Sequence, residues 1–162
     1  MKQYLASPTG PQASLVAIDN RTGEVRAMVG GRNFRERPFN LATQGERQPG
    51  SAFKPVIYAT AMSQGLSPAS QILDAPVVYE QVEDDKIWKP ENYGRKFHGM
   101  VTLREALTHS HNLATVRLLD KVGIKNVIEF AKTVGVTSPL AADLSLGLGS
   151  SSVGLLELTS VY

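Results

Sequence analysis

Arg47-Gln48-Pro49-Gly50-Ser51-Ala52-Phe53-Lys54-Pro55 is the stretch that decides the fold and the chemistry of this chain. A serine hydroxyl is a weak nucleophile until an adjacent base takes its proton, and residues three apart on a helix share one face. The spacing therefore predicts that Lys54 reaches the hydroxyl of Ser51 as its base. The Pro-Gly pair predicts a tight turn into a helix that begins near Ser51, where unpaired backbone N–H groups favour an oxyanion.

The Ser-x-x-Lys pattern also has a plainer interpretation, because a serine at the start of a helix is commonly an N-cap. A lysine acts as a base only when it is neutral part of the time, which requires desolvation or a second nearby cation. Phe53 and the apolar run from Val56 to Ala59 can supply that desolvation. The pattern alone leaves the cap and the nucleophile both open.

A second short motif, Ser110-His111-Asn112, separates two helical patterns. The first pattern ends near Leu107 and the second begins at Leu113, so the motif is predicted to be a polar break between two helices. Asn112 is also suited to be the N-cap of the second helix. Ser-x-x-Lys together with Ser-Asp-Asn and Lys-Thr-Gly marks class A β-lactamases and penicillin-binding proteins, and His111 stands here in the place of the aspartate.

Six segments occur in the order found in the transpeptidase domain of bifunctional class A penicillin-binding proteins: Phe39 to Thr43, Arg47 to Pro55, Trp88 to Tyr93, Gly99 to Leu107, Ser110 to Asn112 and Leu146 to Ser150. The chain from about Ser14 to Tyr162 therefore resembles the first part of that domain. The resemblance implies the α/β fold, of the α+β type, that serine β-lactamases and DD-transpeptidases share, with an N-terminal β-hairpin and a helical subdomain. It also implies a protein at the outer face of the bacterial cytoplasmic membrane, with its anchor outside this chain.

The resemblance implies a role for each polar residue of the two motifs. Ser51 attacks the carbonyl of the penultimate D-alanine of a peptidoglycan stem peptide, and Lys54 accepts its proton. Ser110 relays a proton towards the leaving amine, and Asn112 orients Lys54 and holds the substrate backbone. An acceptor amine from a neighbouring stem then replaces the enzyme. The resemblance thus implies a serine-type D-Ala-D-Ala transpeptidase that β-lactams acylate at the same serine.

Three further residues are predicted to contact the substrate: Trp88, Asn92 and His111. Trp88 is the only tryptophan of the chain, and packing of the surrounding loop is the preferred alternative for it. A nucleic-acid partner is not expected, because the net charge of +2 is nearly balanced and there is no long basic run.

One element of the family pattern is missing. No Lys-Thr-Gly occurs after Asn112, and the nearest string, Lys132-Thr133-Val134, lies in a helical pattern. In the family this third motif lies on a strand that lines the cleft, binds the substrate carboxylate and supplies the second oxyanion N–H. We therefore expect residues 1–162 to be the N-terminal portion of a single transpeptidase domain, with 1–13 as a tail or linker. We expect a second polypeptide or a C-terminal segment to carry the motif, and residues 1–162 alone to be unstable and inactive.

Three other functions share parts of this pattern. A β-lactamase uses the same acylation but needs a positioned base for hydrolysis, and the chain has no glutamate in a recognisable loop for that task. A non-catalytic β-lactam sensor domain is acylated too, but it binds no stem peptide. An inactive structural fragment stays open because the third motif is missing.

Composition sets the remaining limits. With 162 residues and 42% hydrophobic content, the chain is long enough for one core. It shows neither a signal-peptide pattern nor an apolar run of membrane-spanning length. His98, His109 and His111 lack i, i+4 spacing and no cysteine joins them, so a metal site is not expected. Gly147-Leu148-Gly149 lacks the rest of a dinucleotide fingerprint, and no cofactor is expected.

Local patterns predict the elements around the motifs. Ser14 to Asp19 and Glu24 to Gly30 are predicted to form a β-hairpin. The continuous apolar run from Leu15 to Ile18 suits a strand covered on both faces. Helices are predicted over residues 51–64, 101–108, 113–122, 124–134 and 155–162.

Overall fold

The structure is a computed structural model that describes residues 10–81 and 86–162. Most of the tail or linker predicted for residues 1–13 lies outside these ranges. The chain forms two compact units. The first comprises residues up to Gln48, Lys132–Pro139 and Ser151–Tyr162, and the second comprises Pro49–Ala131 and Leu140–Ser150.

Short strands and helices alternate along the described residues. The strands are β1 (Leu15–Ile18), β2 (Val25–Val29), β3 (Glu46–Arg47), β4 (Gln71–Asp74), β5 (Tyr79–Gln81), β6 (Lys86–Trp88), β7 (Gly99–Thr102) and β8 (Val153–Gly154). The α-helices are α1 (Lys54–Ser63), α2 (Leu103–Thr108), α3 (Asn112–Val122), α4 (Ile124–Thr133) and α5 (Leu155–Val161). Two 3-10 turns, Gly50–Phe53 and Leu144–Leu148, complete the described elements. The strands pair antiparallel as β1 with β2, β3 with β8, β4 with β7 and β5 with β6.

The first unit contains the predicted β-hairpin, which β1 and β2 form. Gly23 closes its turn by donating its N–H to the carbonyl of Asp19 at 2.8 Å. Its backbone has φ 74°, a left-handed conformation that glycine adopts without steric cost. The hairpin prediction is therefore confirmed, and its turn has a physical reason.

The first strand is less covered than its apolar sequence predicts. Helix α5 packs against β1, and burial alternates along the strand, which is the pattern of a sheet with one covered face. Leu15 is 51% exposed, and every residue of β2 is exposed. The prediction that β1 is covered on both faces is wrong for the described chain, because α5 supplies cover on one side only.

The core of the second unit lies between α1, α3 and the second 3-10 turn. Its largest fully buried apolar side chains come mainly from these elements: Phe53, Ile57, Leu113, Val116, Leu118, Leu119 and Leu146. Burial of one such side chain stabilises a fold by about 1.5–3 kcal/mol. Pro55 is tolerated because it lies in the first turn of α1, where a backbone N–H has no partner in the helix. The two helices therefore form a rigid base for the polar residues at their N-terminal ends.

Helix α2 begins two residues later than its sequence pattern predicts. Val101 belongs to β7, where it pairs with Ile72 of β4. The hydroxyl of Thr102 then accepts the N–H of Glu105 at 3.1 Å, which makes Thr102 the N-cap. Strand pairing thus outweighs helix propensity at Val101. None of the described helices has the length and apolar character needed to cross a membrane.

Candidate active site

Ser51 lies in the 3-10 turn Gly50–Phe53, directly before α1. Gly50 donates its N–H to the carbonyl of Gly149 at 3.3 Å, so the segment after the second 3-10 turn holds the start of the Ser51 turn. The backbones approach closely, because a Cβ on Gly149 would lie 2.1 Å from the carbonyl oxygen of Gly50. Both glycines also have positive φ, 57° and 67°. Gly149 therefore matters for backbone packing beside Ser51.

Lys54 has a buried ammonium group that three acceptors surround. Lys54 as a whole is only 1% exposed to solvent. The Nζ donates to the carbonyl of Ser110 at 2.8 Å, to the hydroxyl of Ser110 at 3.0 Å and to Oδ1 of Asn112 at 2.7 Å. Burial lowers the pKa of Lys54 to about 8, although the negative charge of Asp74 opposes this shift. A substantial fraction of Lys54 is therefore neutral at mildly alkaline pH.

The hydroxyl of Ser110 connects Ser51 to Lys54. Ser110 Oγ donates to Ser51 Oγ at 2.9 Å and also accepts from Lys54 Nζ. The Ser-x-x-Lys spacing predicts direct contact between Lys54 and Ser51. Among the described hydrogen bonds, the route passes through Ser110 instead. The two motifs thus form one hydrogen-bonded chain of three side chains.

Ser110 reaches this position through an unusual backbone conformation. Its φ is 55°, in the left-handed region that costs a residue with a side chain about 1–2 kcal/mol. The bend is held by bonds from Ser110 N–H to the carbonyl of Leu107 at 3.1 Å and from His111 N–H to that of Ala106 at 2.8 Å. Such strain persists where surrounding bonds enforce it, and it is common at functional sites. The predicted polar break between two helices is confirmed.

Asn92 caps helix α3 from a distant part of the chain. Its Oδ1 accepts the N–H groups of Asn112 at 2.7 Å and Leu113 at 3.2 Å, which are donors at the free N-terminal end of the helix. The alternative that Asn112 is itself the N-cap is wrong, because α3 begins at Asn112 and a long-range cap replaces a local one. The Asn112 side chain is free for Lys54, and its Nδ2 donates to the carbonyl of Glu91 at 2.9 Å.

Asp74 anchors the other end of Asn92. The amide Nδ2 of Asn92 donates to both carboxylate oxygens of Asp74 at 2.9 Å and to the carbonyl of Lys96 at 2.8 Å. Asp74 is fully buried, and it also accepts the backbone N–H of His98 at 3.1 Å. Burial alone raises the pKa of Asp74, but the hydrogen bonds from Asn92 and His98 outweigh it and hold the pKa below its usual value.

The three predicted substrate contacts lie in different places. Trp88 is in β6, where its ring lies 5.9 Å from that of Tyr79, so it packs within the β5–β6 pair. Asn92 and His111 are buried and line a cavity of about 440 Å³ together with Ser110. Burial, followed by the charge of His98, lowers the pKa of His111 and favours its neutral ring. Substrate contact stays a prediction for all three.

Asp74 and Glu91 are residues that sequence patterns did not single out. Asp74 ends the short apolar strand β4, and a carboxylate at such a buried position needs partners. That is the one local signal that could have identified it. Glu91 accepts the bond from Asn112 with its backbone carbonyl, which every residue type has, so the sequence could not identify it.

Comparisons with known proteins point to one family. The sequence model of the penicillin-binding protein transpeptidase domain matches residues 13–156. Penicillin-binding protein 1A of Aquifex aeolicus is 46% identical over 151 residues, which cover 93% of this chain and 21% of that protein. The protein of the same name from Pseudomonas aeruginosa is 38% identical over 152 residues, with 93% and 18% covered. The chain thus spans about a fifth of the length of these relatives.

Solved structures of similar proteins share the fold. Penicillin-binding protein 1A from Haemophilus influenzae superposes with a TM-score of 0.87 at 33% identity, over 93% of this chain and 23% of that chain. The PonA1 protein from Mycobacterium tuberculosis, in complex with penicillin V, superposes with a TM-score of 0.81 at 25% identity, over 99% and 45%. The fold expected from the sequence is confirmed, and in these solved structures the matched region is part of a longer chain.

Proposed function

Because this chain belongs to the penicillin-binding protein transpeptidase domain family, we propose that it carries the acylating half of a peptidoglycan transpeptidase site. The observation that supports this most is the hydrogen-bonded chain from Ser51 through Ser110 to Lys54, with Asn112 as a further partner of the lysine. It joins a nucleophile to a buried amine whose pKa is lowered to about 8. That is the arrangement an activated serine requires.

Acylation begins when Lys54 is neutral. The ammonium form donates to all three of its acceptors, so the hydroxyl of Ser110 points its own proton at Ser51. Loss of one proton from Lys54 leaves a lone pair that accepts from Ser110 Oγ, and Ser110 then accepts from Ser51. When Ser51 Oγ attacks, its proton passes to Ser110 while the proton of Ser110 passes to Lys54. The charge that develops on the nucleophile is removed in the same step.

The substrate we propose is a stem peptide that ends in D-Ala-D-Ala. Attack on the penultimate carbonyl forms the Ser51 ester and breaks the peptide bond to the terminal D-alanine. The leaving nitrogen takes the proton that Lys54 received, returned through Ser110. The N–H of Ser51, at the start of its 3-10 turn, is one donor to the oxyanion. The second donor comes from a segment with Lys-Thr-Gly, in a C-terminal part or a second polypeptide.

Transfer completes the reaction. The amine of an acceptor stem attacks the acyl-Ser51 carbonyl and gives one of its protons, through Ser110, to the neutral Lys54. The Ser51 ester bond then breaks, the cross-link forms, and the serine oxygen takes that proton back from Lys54 through Ser110. A β-lactam enters the same first step, because its strained amide presents a carbonyl to Ser51. The relative in complex with penicillin V agrees with this chemistry. We place the reaction at the outer face of the cytoplasmic membrane, where stem peptides occur.

A product assay tests the proposal against its alternatives. A protein that contains residues 1–162 within a complete transpeptidase domain is incubated with a stem pentapeptide and an acceptor amine, and products are identified by mass spectrometry. We expect cross-linked product and free D-alanine, and neither product from the Ser51→Ala variant. Ser67→Ala, an exposed serine after α1, is the matched control and should behave as wild type. Rapid hydrolysis of penicillin would indicate a β-lactamase, and stable acylation without cross-linking would indicate a sensor.

A further inference from the structure

Three ligand-type side chains converge next to the Ser110–Asn112 bend. They are Asp74 at the end of β4, His98 directly before β7, and His111 between α2 and α3. One ligand atom from each lies within 4.8 Å of the other two. These residues are far apart in sequence, so the fold rather than local spacing brings them together.

The distances suit a transition metal after small side-chain rotations. His98 Nδ1 lies 2.6 Å from Asp74 Oδ2, and His111 Nδ1 lies 4.0 Å from the same oxygen. In a tetrahedral zinc site with bonds of about 2.0–2.2 Å, neighbouring ligand atoms are roughly 3.4 Å apart. The two observed distances lie on either side of that value. The rings of His98 and His111 are 4.1 Å apart between centroids, so the two side chains are direct neighbours.

Burial and neighbouring bonds favour a bound ion over a solvated cluster. The side chain of Asp74 is 0% exposed and that of His111 is 8% exposed. The two bonds from Asn92 orient the Asp74 carboxylate, as hydrogen-bond donors to metal-binding carboxylates do. His98 is 40% exposed and lines the 440 Å³ cavity, which leaves a route for the ion and a water ligand.

We propose that Asp74, His98 and His111 bind one divalent transition-metal ion, of which zinc fits the nitrogen and oxygen donors best. Water occupies the fourth position on the cavity side. The ion takes no part in acylation. It ties His111, the central residue of the Ser110–Asn112 bend, to β4 and so stiffens the bend that holds Ser110 and Asn112 against Lys54. The spacing of histidines and the absence of cysteines predict no metal site. The third ligand, the Asp74 carboxylate, comes close to the two histidines only in the folded chain.

A cobalt titration tests the site. Metal-free protein that contains residues 1–162 within a complete transpeptidase domain is titrated with Co²⁺, and zinc is then added as competitor. We expect one equivalent with the strong visible absorption of tetrahedral cobalt, displaced by zinc. His98→Gln should lose this equivalent, and it should fold because His98 is partly exposed. His109→Gln is the matched control, because His109 lines the same cavity but is not among the three ligands.

Thermal melting provides a readout that does not depend on activity. A bound ion stabilises the folded state, so zinc should raise the melting temperature of wild type and His109→Gln but not of His98→Gln. The proposal is overturned if wild type binds no stoichiometric metal, or if His98→Gln binds as wild type does. Equal loss in His98→Gln and His109→Gln would also overturn this ligand set. Penicillin labelling is measured separately, so failure of the metal site does not imply failure of the acylation site.

Discussion

Removal of the Asn92 side chain should break the connection between the Ser110–Asn112 bend and the buried Asp74 carboxylate. The Asn92→Ala variant leaves the N–H groups of Asn112 and Leu113 without their acceptor and takes two hydrogen bonds from the buried Asp74 carboxylate. A buried polar group without a partner costs about 1–3 kcal/mol. Helix ends relax and water enters, so the individual costs do not add fully. We expect the free energy of unfolding to fall by about 3–5 kcal/mol.

Denaturant unfolding and penicillin acylation measure the two consequences of Asn92→Ala. Acylation should slow in the fraction that stays folded, because Asn112 shifts relative to Lys54. Asn126→Ala is the matched control: its Nδ2 donates to one carbonyl, that of Val122, away from the site. The control should lose about 1 kcal/mol and acylate normally. A loss below about 1 kcal/mol in Asn92→Ala, with normal acylation, would refute the anchoring argument.

Three further predictions concern the pH profile, the glycine contact and the isolated chain. Because the pKa of Lys54 is lowered to about 8, its neutral fraction grows as pH rises, and the rate of penicillin acylation should increase about tenfold from pH 7 to pH 9. A stopped-flow acylation rate that does not change with pH would contradict this. Gly149→Ala should destabilise the domain by about 1–3 kcal/mol more than Gly65→Ala, because both glycines have positive φ but, of the two, only Gly149 has another backbone segment next to it. Equal denaturation midpoints for the two variants would show that this backbone contact does not matter. Residues 1–162 expressed alone should show no cooperative melt and no penicillin label, because the β1–β2 pair has no third strand among the described residues and leaves Leu15, Val25 and Val29 exposed at its edges and open face. A cooperative melt with labelling would be the contrary result.

Residues that act through local spacing could be predicted from sequence. Ser51 and Lys54 lie three apart in a predicted helix start, and the structure places Ser51 in the 3-10 turn that leads directly into α1 and Lys54 at the first residue of α1. The break at Ser110 was visible because two helical patterns stop on either side of it. The hairpin was visible from its turn and its apolar runs. In each case the signal and its cause lie within a few residues of each other.

Contacts that depend on tertiary structure could not be predicted in this way. The route from Ser51 to Lys54 passes through Ser110 because the fold puts a hydroxyl between them, which helical spacing does not encode. The cap on α3 comes from Asn92, twenty residues before the helix. The exposure of β1 depends on the elements that pack against it, whereas its apolar composition shows only that the strand can be buried. Each of these features joins segments whose separation in sequence carries no periodic signal.

The site of acylation tests the central claim most directly. A protein that contains residues 1–162 within a complete transpeptidase domain is treated with penicillin, digested and mapped by mass spectrometry. The adduct should be on the peptide that contains Ser51, and Ser51→Ala should carry none. Ser110→Ala should still be modified at Ser51, but about 10²–10⁴-fold more slowly, because the proton route to Lys54 is broken. An adduct on Ser110, or an adduct that survives in Ser51→Ala, would contradict the account.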